Sequence, residues 1–141
     1  MALLRVEKNN GIATVYLNRP EKRNAMSFAL LKELVSTAEK LKKDRSLRCV
    51  ILTGEANVFS AGIDLADLND PKNRAYAAWE LLKPGQSLFQ KAFLIWQQLP
   101  VPVIAALEGF CFGAGMQLAL AADIRIAHPK TQMSIMKVVG A

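Results

Sequence analysis

Two segments of this 141-residue chain have the residue types needed to bind a carbonyl oxygen through backbone N–H groups. Residues 60–64 read Ser-Ala-Gly-Ile-Asp, and residues 109–115 read Gly-Phe-Cys-Phe-Gly-Ala-Gly. Each segment comes after an apolar run and before a predicted helix start, where the first amides have no intrahelical partner. Glycine and alanine let a ligand approach the backbone closely. Two such loops facing each other would form an oxyanion hole, which stabilises a carbonyl oxygen as it gains negative charge.

The same small residues also have a structural interpretation, because they permit close packing of a helix on a sheet. A dinucleotide-binding fingerprint is excluded, since G-x-G-x-x-G would need glycines at 113, 115 and 118, and residue 118 is leucine. A phosphate-binding P-loop is excluded because the sequence has no Gly-Lys followed by Ser or Thr. The oxyanion hole and the packing interpretation both stay open at this point.

Four titratable side chains near these loops favour structural roles. Asp64 stands where a helix N-cap would stand, and Asp123 opens a strand, where we expect it to accept from backbone donors. Glu108 follows an apolar strand and is expected to be exposed in a turn, although it could face the pocket. His128 precedes a proline and has no Ser or Cys partner motif. No cluster of metal-ligating residues is visible, so we predict no metal site.

The elements that position the two loops follow from the apolar pattern. Strands are predicted at 3–8 and 12–17 around an Asn-Gly turn, which is typical of a hairpin. Ser27 is expected to cap a helix whose apolar residues form a stripe of period 3.6. The apolar runs at 48–54 and 101–107 are typical of parallel strands that are covered on both faces.

Further along the chain, residues 64–74 are polar and indicate a boundary or a mobile surface segment. Residues 75–99 are expected to be helical with a break at a Pro-Gly pair, followed later by strands at 123–127 and 133–139. The alternation of strands and helices predicts an α/β fold. The aromatic residues at helical spacing are expected to pack in the core, and they are Trp79, Phe89, Phe93 and Trp96.

Composition excludes several classes of protein. Hydrophobic residues make up 52% of the chain and charged residues 21%, which gives enough apolar surface to exclude intrinsic disorder. The two cysteines, each in an apolar run, exclude a disulfide-stabilised miniprotein. No signal peptide and no membrane-spanning run is visible, so we expect a cytoplasmic location without membrane contact.

The net charge of +6 arises in the first third of the chain, where eleven Lys and Arg residues up to Arg48 face five Asp and Glu residues. One group, the loop cluster, consists of Arg19, Lys22 and Arg23. The other, the helix-end cluster, runs from Lys40 to Arg48. Either could contact a phosphorylated molecule or RNA. For the helix-end cluster we favour a solvated helix end, since helix C-termini favour cations.

Three motifs occur together and in one order. Residues 18–26 read Asn-Arg-Pro-Glu-Lys-Arg-Asn-Ala-Met, residues 59–65 read Phe-Ser-Ala-Gly-Ile-Asp-Leu, and the third motif covers 102–127. In this combination and spacing the chain resembles the enoyl-CoA hydratase/isomerase (crotonase) superfamily over essentially its whole length. The resemblance implies a crotonase-like spiral of ββα units, a thioester carbonyl held by two backbone amides, and a homotrimer or hexamer. It implies no cofactor other than the coenzyme A that is part of the substrate.

The resemblance also implies the residues of the site. The two amide donors match Ile63 and Ala114. Lys22 and Arg23 match a loop that approaches the nucleotide end of coenzyme A, where cations beside a polyanion are electrostatically favourable. The positions that match the lining of the bound acyl-CoA are Ala61, Asp64, Leu65 and Ala66.

The acid and base of the family do not carry over to this sequence. Hydratases of the family use two glutamates to move a proton at each end of the enoyl group, and these positions match Gln117 and Lys137. An amide takes up no proton at neutral pH, and a lysine is normally protonated already. Gln117 could still orient water or substrate and is kept as a candidate catalytic residue. Hydration by two glutamates is not expected.

We therefore expect residues 1–141 to form a crotonase-like, CoA-binding N-terminal core, with the family's C-terminal part absent. The favoured function is that of an enoyl-CoA hydratase/isomerase family protein that binds an acyl-CoA thioester. One alternative is a catalytically inactive acyl-CoA-binding paralogue or fragment, motivated by Gln117 and Lys137. The other is RNA binding through the helix-end cluster, with nucleic acid as the less favoured partner.

Overall fold

The computed structural model describes residues 2–135. Its strands are β1 (Leu4–Asn9), β2 (Ile12–Leu17), β3 (Cys49–Gly54), β4 (Val103–Leu107), β5 (Phe110–Phe112), β6 (Ile124–Ala127) and β7 (Gln132–Ser134). Its helices are α1 (Phe28–Lys42), α2 (Leu65–Leu68), α3 (Pro71–Leu82), α4 (Leu88–Leu94) and α5 (Ala114–Leu120). Short 3-10 turns lie at Pro20–Lys22, Glu55–Asn57 and Ile95–Gln98. The predicted alternation of strands and helices is confirmed.

Five strands form one sheet in the order β1-β2-β3-β4-β6. β1 pairs with β2 in the antiparallel sense, and the other three pairings are parallel. The predicted hairpin is confirmed, because Asn10 and Gly11 have φ angles of 53° and 81°, as the tight turn requires. β5 and β7 pair in parallel in a second sheet of two strands.

The core lies between the large sheet and the helices. Ser27 caps α1 as predicted, and its hydroxyl accepts a hydrogen bond from the N–H of Leu30 at 3.1 Å. Trp96 is completely buried and donates its indole N–H to the carbonyl oxygen of Ala92 at 3.0 Å. The buried stripe of α1 meets the inward side chains of β2, β3 and β4, and these residues are Leu30, Leu31, Leu34, Ala38, Val15, Val50, Leu52 and Val103.

The outer face of the large sheet differs from the prediction. Along β3, Val50 and Leu52 are buried, whereas Ile51 on the opposite face is only partly buried. Its neighbours in register on that face are Ile104 and Ile124, and Ile124 is 50% exposed. The prediction of strands covered on both faces is wrong for residues 2–135, because the apolar helices of this part pack on the inner face.

Residues 64–74 lie at the surface, as predicted, and they form a short helix and the start of a second one, each with a side-chain cap. The side chain of Asp64 caps α2, and the side chain of Asp70 caps α3, which begins at Pro71. The polar residues that indicated a surface segment are therefore the caps of the helices.

Trp79 lies outside the core, contrary to the prediction, whereas Phe93 and Trp96 are buried as predicted. Helix α3 packs through Ala77 and Glu80, which are buried, and this leaves the Trp79 side chain 62% exposed. The helical spacing of the aromatic residues predicted the helices correctly but not which face of α3 meets the core.

The helix-end cluster is exposed, as predicted. Lys40 and Lys42 lie in the last turn of α1, and Asp44 just beyond it forms an ion pair with Lys8. None of the helices within residues 2–135 combines the length and apolar character needed to cross a membrane.

The last described elements follow the prediction in part. Asp123 precedes β6 and accepts a hydrogen bond from the N–H of Val103 at 2.8 Å, which is the structural role expected of it. The strand predicted at 133–139 overlaps β7, and residues 136–139 lie outside the described part of the chain.

Candidate functional site

Residues 60–64 and 109–115 lie side by side, as the proposed oxyanion hole requires. Ser60 and Cys111 form a parallel β-bridge. The N–H of Ser60 donates to the carbonyl oxygen of Phe110 at 2.9 Å, and the N–H of Phe112 donates to the carbonyl oxygen of Ser60 at 3.1 Å. The backbone of the first loop is therefore fixed against β5 immediately before α5 begins.

The closest approach of the two loops is at Gly62. Its φ of +108° favours glycine, and a Cβ atom there would lie 3.2 Å from the carbonyl oxygen of Phe112 and 3.9 Å from the amide nitrogen of Ala114. Ala114 is the first residue of α5, so its N–H has no acceptor within the helix. The backbone around Gly62 and the amide of Ala114 thus border the same small space.

A second β-bridge orients the backbone of Ile63. The N–H of Met26 donates to the carbonyl oxygen of Gly62 at 2.7 Å, and the N–H of Asp64 donates to the carbonyl oxygen of Met26 at 3.0 Å. Successive amides of an extended chain point in opposite directions. The N–H of Ile63 is therefore directed away from Met26.

Asn24 holds residues 60–64 in place through buried hydrogen bonds. This residue was not identified from the sequence. Its side chain is completely buried, accepts from the N–H of Arg19 at 2.8 Å and donates to the carbonyl oxygen of Val58 at 2.7 Å. Its own carbonyl oxygen accepts from the buried hydroxyl of Ser60 at 2.8 Å, and that hydroxyl also accepts from the N–H of Gly62 at 3.2 Å. Asn24 lies in the first of the three motifs, but no periodic pattern marks it as buried.

Asp64 has the helix-capping role expected of it, and it also forms an ion pair that the sequence did not predict. Its carboxylate accepts from the backbone N–H groups of Ala66 at 3.0 Å and Asp67 at 3.2 Å, and it contacts Arg19 at 2.8 Å. Burial alone would raise the pKa of Asp64. The hydrogen bonds from Arg19 and the two amides outweigh that effect and hold the pKa below its usual value of 3.8.

Replacing Asp64 with asparagine is expected to lower the free energy of unfolding by about 1–2 kcal/mol at neutral pH. A carboxylate whose pKa is lower in the folded state contributes stability above its unfolded pKa and loses it as pH falls through the folded pKa. The difference between the parent and Asp64→Asn should therefore be constant above about pH 5 and shrink below it. Urea titrations of both proteins at pH values above and below about 5 measure this difference in the free energy of unfolding. A difference that stays unchanged down to acid pH would contradict the ion pair.

The loop cluster divides into two parts. Arg19 is held in the ion pair with Asp64, with only 15% of its side chain exposed, so its charge is already paired within the protein. Lys22 and Arg23 are exposed, and the Arg23 guanidinium lies 5.3 Å from the centroid of the Phe110 ring. The carbonyl oxygen of Arg23 accepts from the N–H of Ala61 at 3.0 Å. A backbone hydrogen bond thus holds Arg23, and with it the neighbouring Lys22, beside residues 60–64.

An apolar pocket, the Ile63 pocket, lies on the other side of that loop. Phe28 forms edge contacts with Tyr76 and Phe89, with centroid distances of 5.4 and 5.6 Å. The apolar lining consists of Met26, Phe28, Leu31, Ile63, Leu68 and Phe89. These side chains close on one another so tightly that a water molecule does not fit between them. An acyl group could enter only if α2 or α4 moved.

The positions matched to the family's acid and base supply no carboxylate within the described residues. Gln117 is exposed on α5, one turn after Ala114, and Lys137 lies outside the described part of the chain. Glu108 is exposed as expected. His128 is exposed and accepts from the N–H of Lys130 at 3.1 Å through its Nδ1 atom.

Neither thiol nor metal chemistry is indicated across residues 2–135. Cys111 is buried, and that burial raises the pKa of its thiol to about 11, so the reactive thiolate is scarce at neutral pH. No group of three His, Cys, Asp or Glu side chains in this part of the chain could hold a metal ion. The arrangement is suited to hydrogen bonding by backbone amides.

Comparisons with known proteins point to one family. The family model described as enoyl-CoA hydratase/isomerase matches residues 7–138. The chain is 44% identical over 117 residues to a mitochondrial Delta(3,5)-Delta(2,4)-dienoyl-CoA isomerase from Mus musculus, covering 79% of this chain and 36% of that protein. It is 36% identical over 132 residues to a mitochondrial methylglutaconyl-CoA hydratase from Mus musculus, covering 93% of this chain and 40% of that protein.

Solved structures agree. The crystal structure of an enoyl-CoA hydratase from Mycobacterium smegmatis is 31% identical with a TM-score of 0.84, and the match covers 96% of this chain and 51% of that one. The chain thus spans about half the length of that structure and less than half of the two curated relatives. The crotonase-like fold expected from the resemblance is confirmed. The protein belongs to the enoyl-CoA hydratase/isomerase family.

Proposed function

We propose that the protein binds the thioester of an acyl-CoA between residues 60–64 and 109–114. The amides of Ile63 and Ala114 donate to the thioester carbonyl oxygen, and the acyl group lies near Ala61 and the Ile63 pocket. The observation that carries this proposal is the 3.9 Å between a Cβ position at Gly62 and the amide nitrogen of Ala114. Since Ile63 follows Gly62 directly, this distance brings the backbone of the first loop next to the amide of Ala114, as donation to one oxygen atom from both segments requires.

The loop cluster supports the same ligand. Lys22 and Arg23 are exposed beside residues 60–64, where they can attract the phosphates of coenzyme A, and neither forms an ion pair with a carboxylate within residues 2–135. The Asp64 carboxylate already forms an ion pair with Arg19 and caps the N-terminus of α2. We therefore assign Asp64 to shaping the loop, and Leu65 and Ala66, which are exposed on α2, to the edge of the ligand site.

The chemistry that these residues supply is stabilisation of negative charge on the thioester oxygen. That charge develops in both the isomerisation and the hydration of an enoyl-CoA, and one oxyanion donor is commonly worth about 10²–10³ in kcat. In this proposal Gln117, which is exposed on α5, orients a ligand or a water, but its amide does not transfer a proton at neutral pH. We propose an isomerase or hydratase of the family for the whole protein, and ligand binding without efficient hydration for residues 1–141.

Crotonyl-CoA at about one hundred times its Kd is expected to raise the Tm of the 141-residue protein by about 5–10 °C. Free coenzyme A at the same concentration should raise it less, because it has no thioester carbonyl. The enoyl absorbance should persist during the experiment, since hydration needs an acid and a base. A cooperative melt that crotonyl-CoA does not move would contradict the binding proposal, and rapid loss of enoyl absorbance would contradict the assignment of Gln117.

A further inference from the structure

A second cavity lies between α1, the connection from α3 to α4, and α4, and the proposed function does not use it. Its volume is about 210 Å³. Lysines from three different parts of the chain line it, namely Lys32, Lys83 and Lys91. We call it the lysine cavity. Basic side chains that come together from separate elements are a feature of anion sites.

Aromatic rings separate the lysine cavity from the Ile63 pocket. Phe28 and Phe89 line the Ile63 pocket, and Tyr76 contacts the edge of Phe28. On the other side, the ammonium group of Lys32 lies 4.8 Å from the centroid of the Tyr76 ring. The two sites therefore stand back to back, and the wall between them includes Tyr76, whose hydroxyl forms a hydrogen bond with Glu80 of the lysine cavity.

Glu80 holds the wall of the lysine cavity in place. Only 5% of this residue is exposed, and its carboxylate accepts from the N–H of Leu88 at 2.8 Å and contacts the ammonium of Lys83 at 2.9 Å. The hydrogen bond from Lys83 is the main reason that the pKa of Glu80 lies below its usual value, with burial opposing it. Glu80 thus fixes the connection between α3 and α4 and neutralises Lys83.

The other two lysines have weaker partners. Lys91 faces Glu39 at 3.6 Å, too far for a hydrogen bond, and about half of each side chain is exposed, so the pair contributes little. Lys32 makes no ion pair with any carboxylate within residues 2–135, and its ammonium group lies over the Tyr76 ring. Two ammonium groups are therefore available to a ligand, and the amide of Gln86 lies at the same cavity.

We propose that the lysine cavity binds the phosphate group of a small organic molecule. Lys32 and Lys91 contact the phosphate, and the carbon part of the ligand lies against Val35 and Leu88, which also line the cavity. A phosphate monoester is close to doubly charged at neutral pH and has several acceptor oxygens, so it can bridge ammonium groups that arrive from different directions. A single carboxylate gains less, because it carries one negative charge and only two acceptor oxygens with which to engage the two ammonium groups.

Calorimetric titration of the 141-residue protein with phenyl phosphate and with inorganic phosphate tests the proposal. The double variant K32Q/K91Q should bind phenyl phosphate at least about tenfold more weakly than the parent. The matched variant K40Q/K43Q removes two exposed lysines outside the cavity and should change the affinity less than about twofold. Inorganic phosphate should bind more weakly than phenyl phosphate, because it makes no contact with Val35 and Leu88.

Four results would overturn the proposal in whole or in part. Absence of phenyl phosphate binding, or equal losses in K32Q/K91Q and K40Q/K43Q, would mean that no specific site exists. Equal affinities for phenyl phosphate and inorganic phosphate would show that the cavity binds free phosphate, and they would contradict the contact of an organic group with Val35 and Leu88. The site is separate from the thioester site, so K32Q/K91Q should retain the rise in Tm with crotonyl-CoA. Loss of that rise in K32Q/K91Q would show that coenzyme A itself uses the cavity, which contradicts a second, independent ligand.

Discussion

Replacing Asn24 with alanine is expected to lower the free energy of unfolding by about 2–4 kcal/mol, a large loss for a single polar side chain. The substitution leaves the N–H of Arg19 and the carbonyl oxygens of Glu55 and Val58 without their partner; these residues are partly buried, and the Asn24 side chain that joins them is completely buried. An unpaired buried polar group costs far more than an exposed hydrogen bond contributes. Since a domain is stable by only about 5–15 kcal/mol, the variant should unfold at much lower urea concentration.

Asn18 provides the matched control for Asn24. Its side-chain amide makes an exposed hydrogen bond to the carbonyl oxygen of Ala2 at 3.1 Å, so Asn18→Ala should cost less than about 1 kcal/mol. Urea denaturation of both variants, followed by the fluorescence of the buried Trp96, gives the two free energies. Equal small losses would show that Asn24 does not hold the loop.

Replacing Gly115 with alanine is expected to weaken the binding of crotonyl-CoA by at least about tenfold and to cost about 1–3 kcal/mol of stability. A Cβ atom at position 115 would lie 2.8 Å from both the Cβ and the carbonyl oxygen of Ser60. Real Cβ atoms do not approach backbone so closely, so α5 and the first loop must separate. That movement takes the amide of Ala114 away from Ile63, and one oxygen can then no longer accept from both.

The connection between α3 and α4 offers a control for Gly115. A Cβ atom at Gly85 would meet nothing within 4 Å, although its φ of +89° makes alanine strained there. Gly85→Ala should therefore cost about 1 kcal/mol of stability while leaving the affinity for crotonyl-CoA unchanged. Titration calorimetry on both variants separates the two effects. If Gly115→Ala bound crotonyl-CoA as tightly as Gly85→Ala, the contact between the loops would not matter for the ligand.

Local chemistry made much of the fold predictable. The Asn-Gly turn, the Ser27 cap and the parallel strands β3 and β4 all follow from signals that act over a few residues, and all are confirmed. These features depend on propensity and periodicity, which a single sequence displays directly. The approach of residues 60–64 to 109–115 was expected only from the resemblance to the crotonase superfamily, which implies two backbone amides on one carbonyl oxygen.

The remaining features depend on contacts between distant segments. Whether Trp79 faces the core is decided by which side of α3 meets its neighbours, and its spacing alone does not show this. The ion pair of Arg19 with Asp64 joins residues 45 positions apart, and the sequence around either residue does not predict the other as its partner. Asn24 is buried because its side chain forms hydrogen bonds with loop backbone. Apolar periodicity therefore does not identify it as a buried residue. Such residues become visible only when the chain is folded.

The carbonyl stretching frequency of bound crotonyl-CoA tests the oxyanion hole most directly. Two N–H donors on one oxygen polarise the C=O bond and weaken it, so difference infrared spectra with ¹³C at the thioester carbonyl should show a shift to lower frequency on binding. The shift should be largely lost in any complex that Gly115→Ala still forms. A bound carbonyl that absorbs at the frequency of free crotonyl-CoA would contradict donation by Ile63 and Ala114.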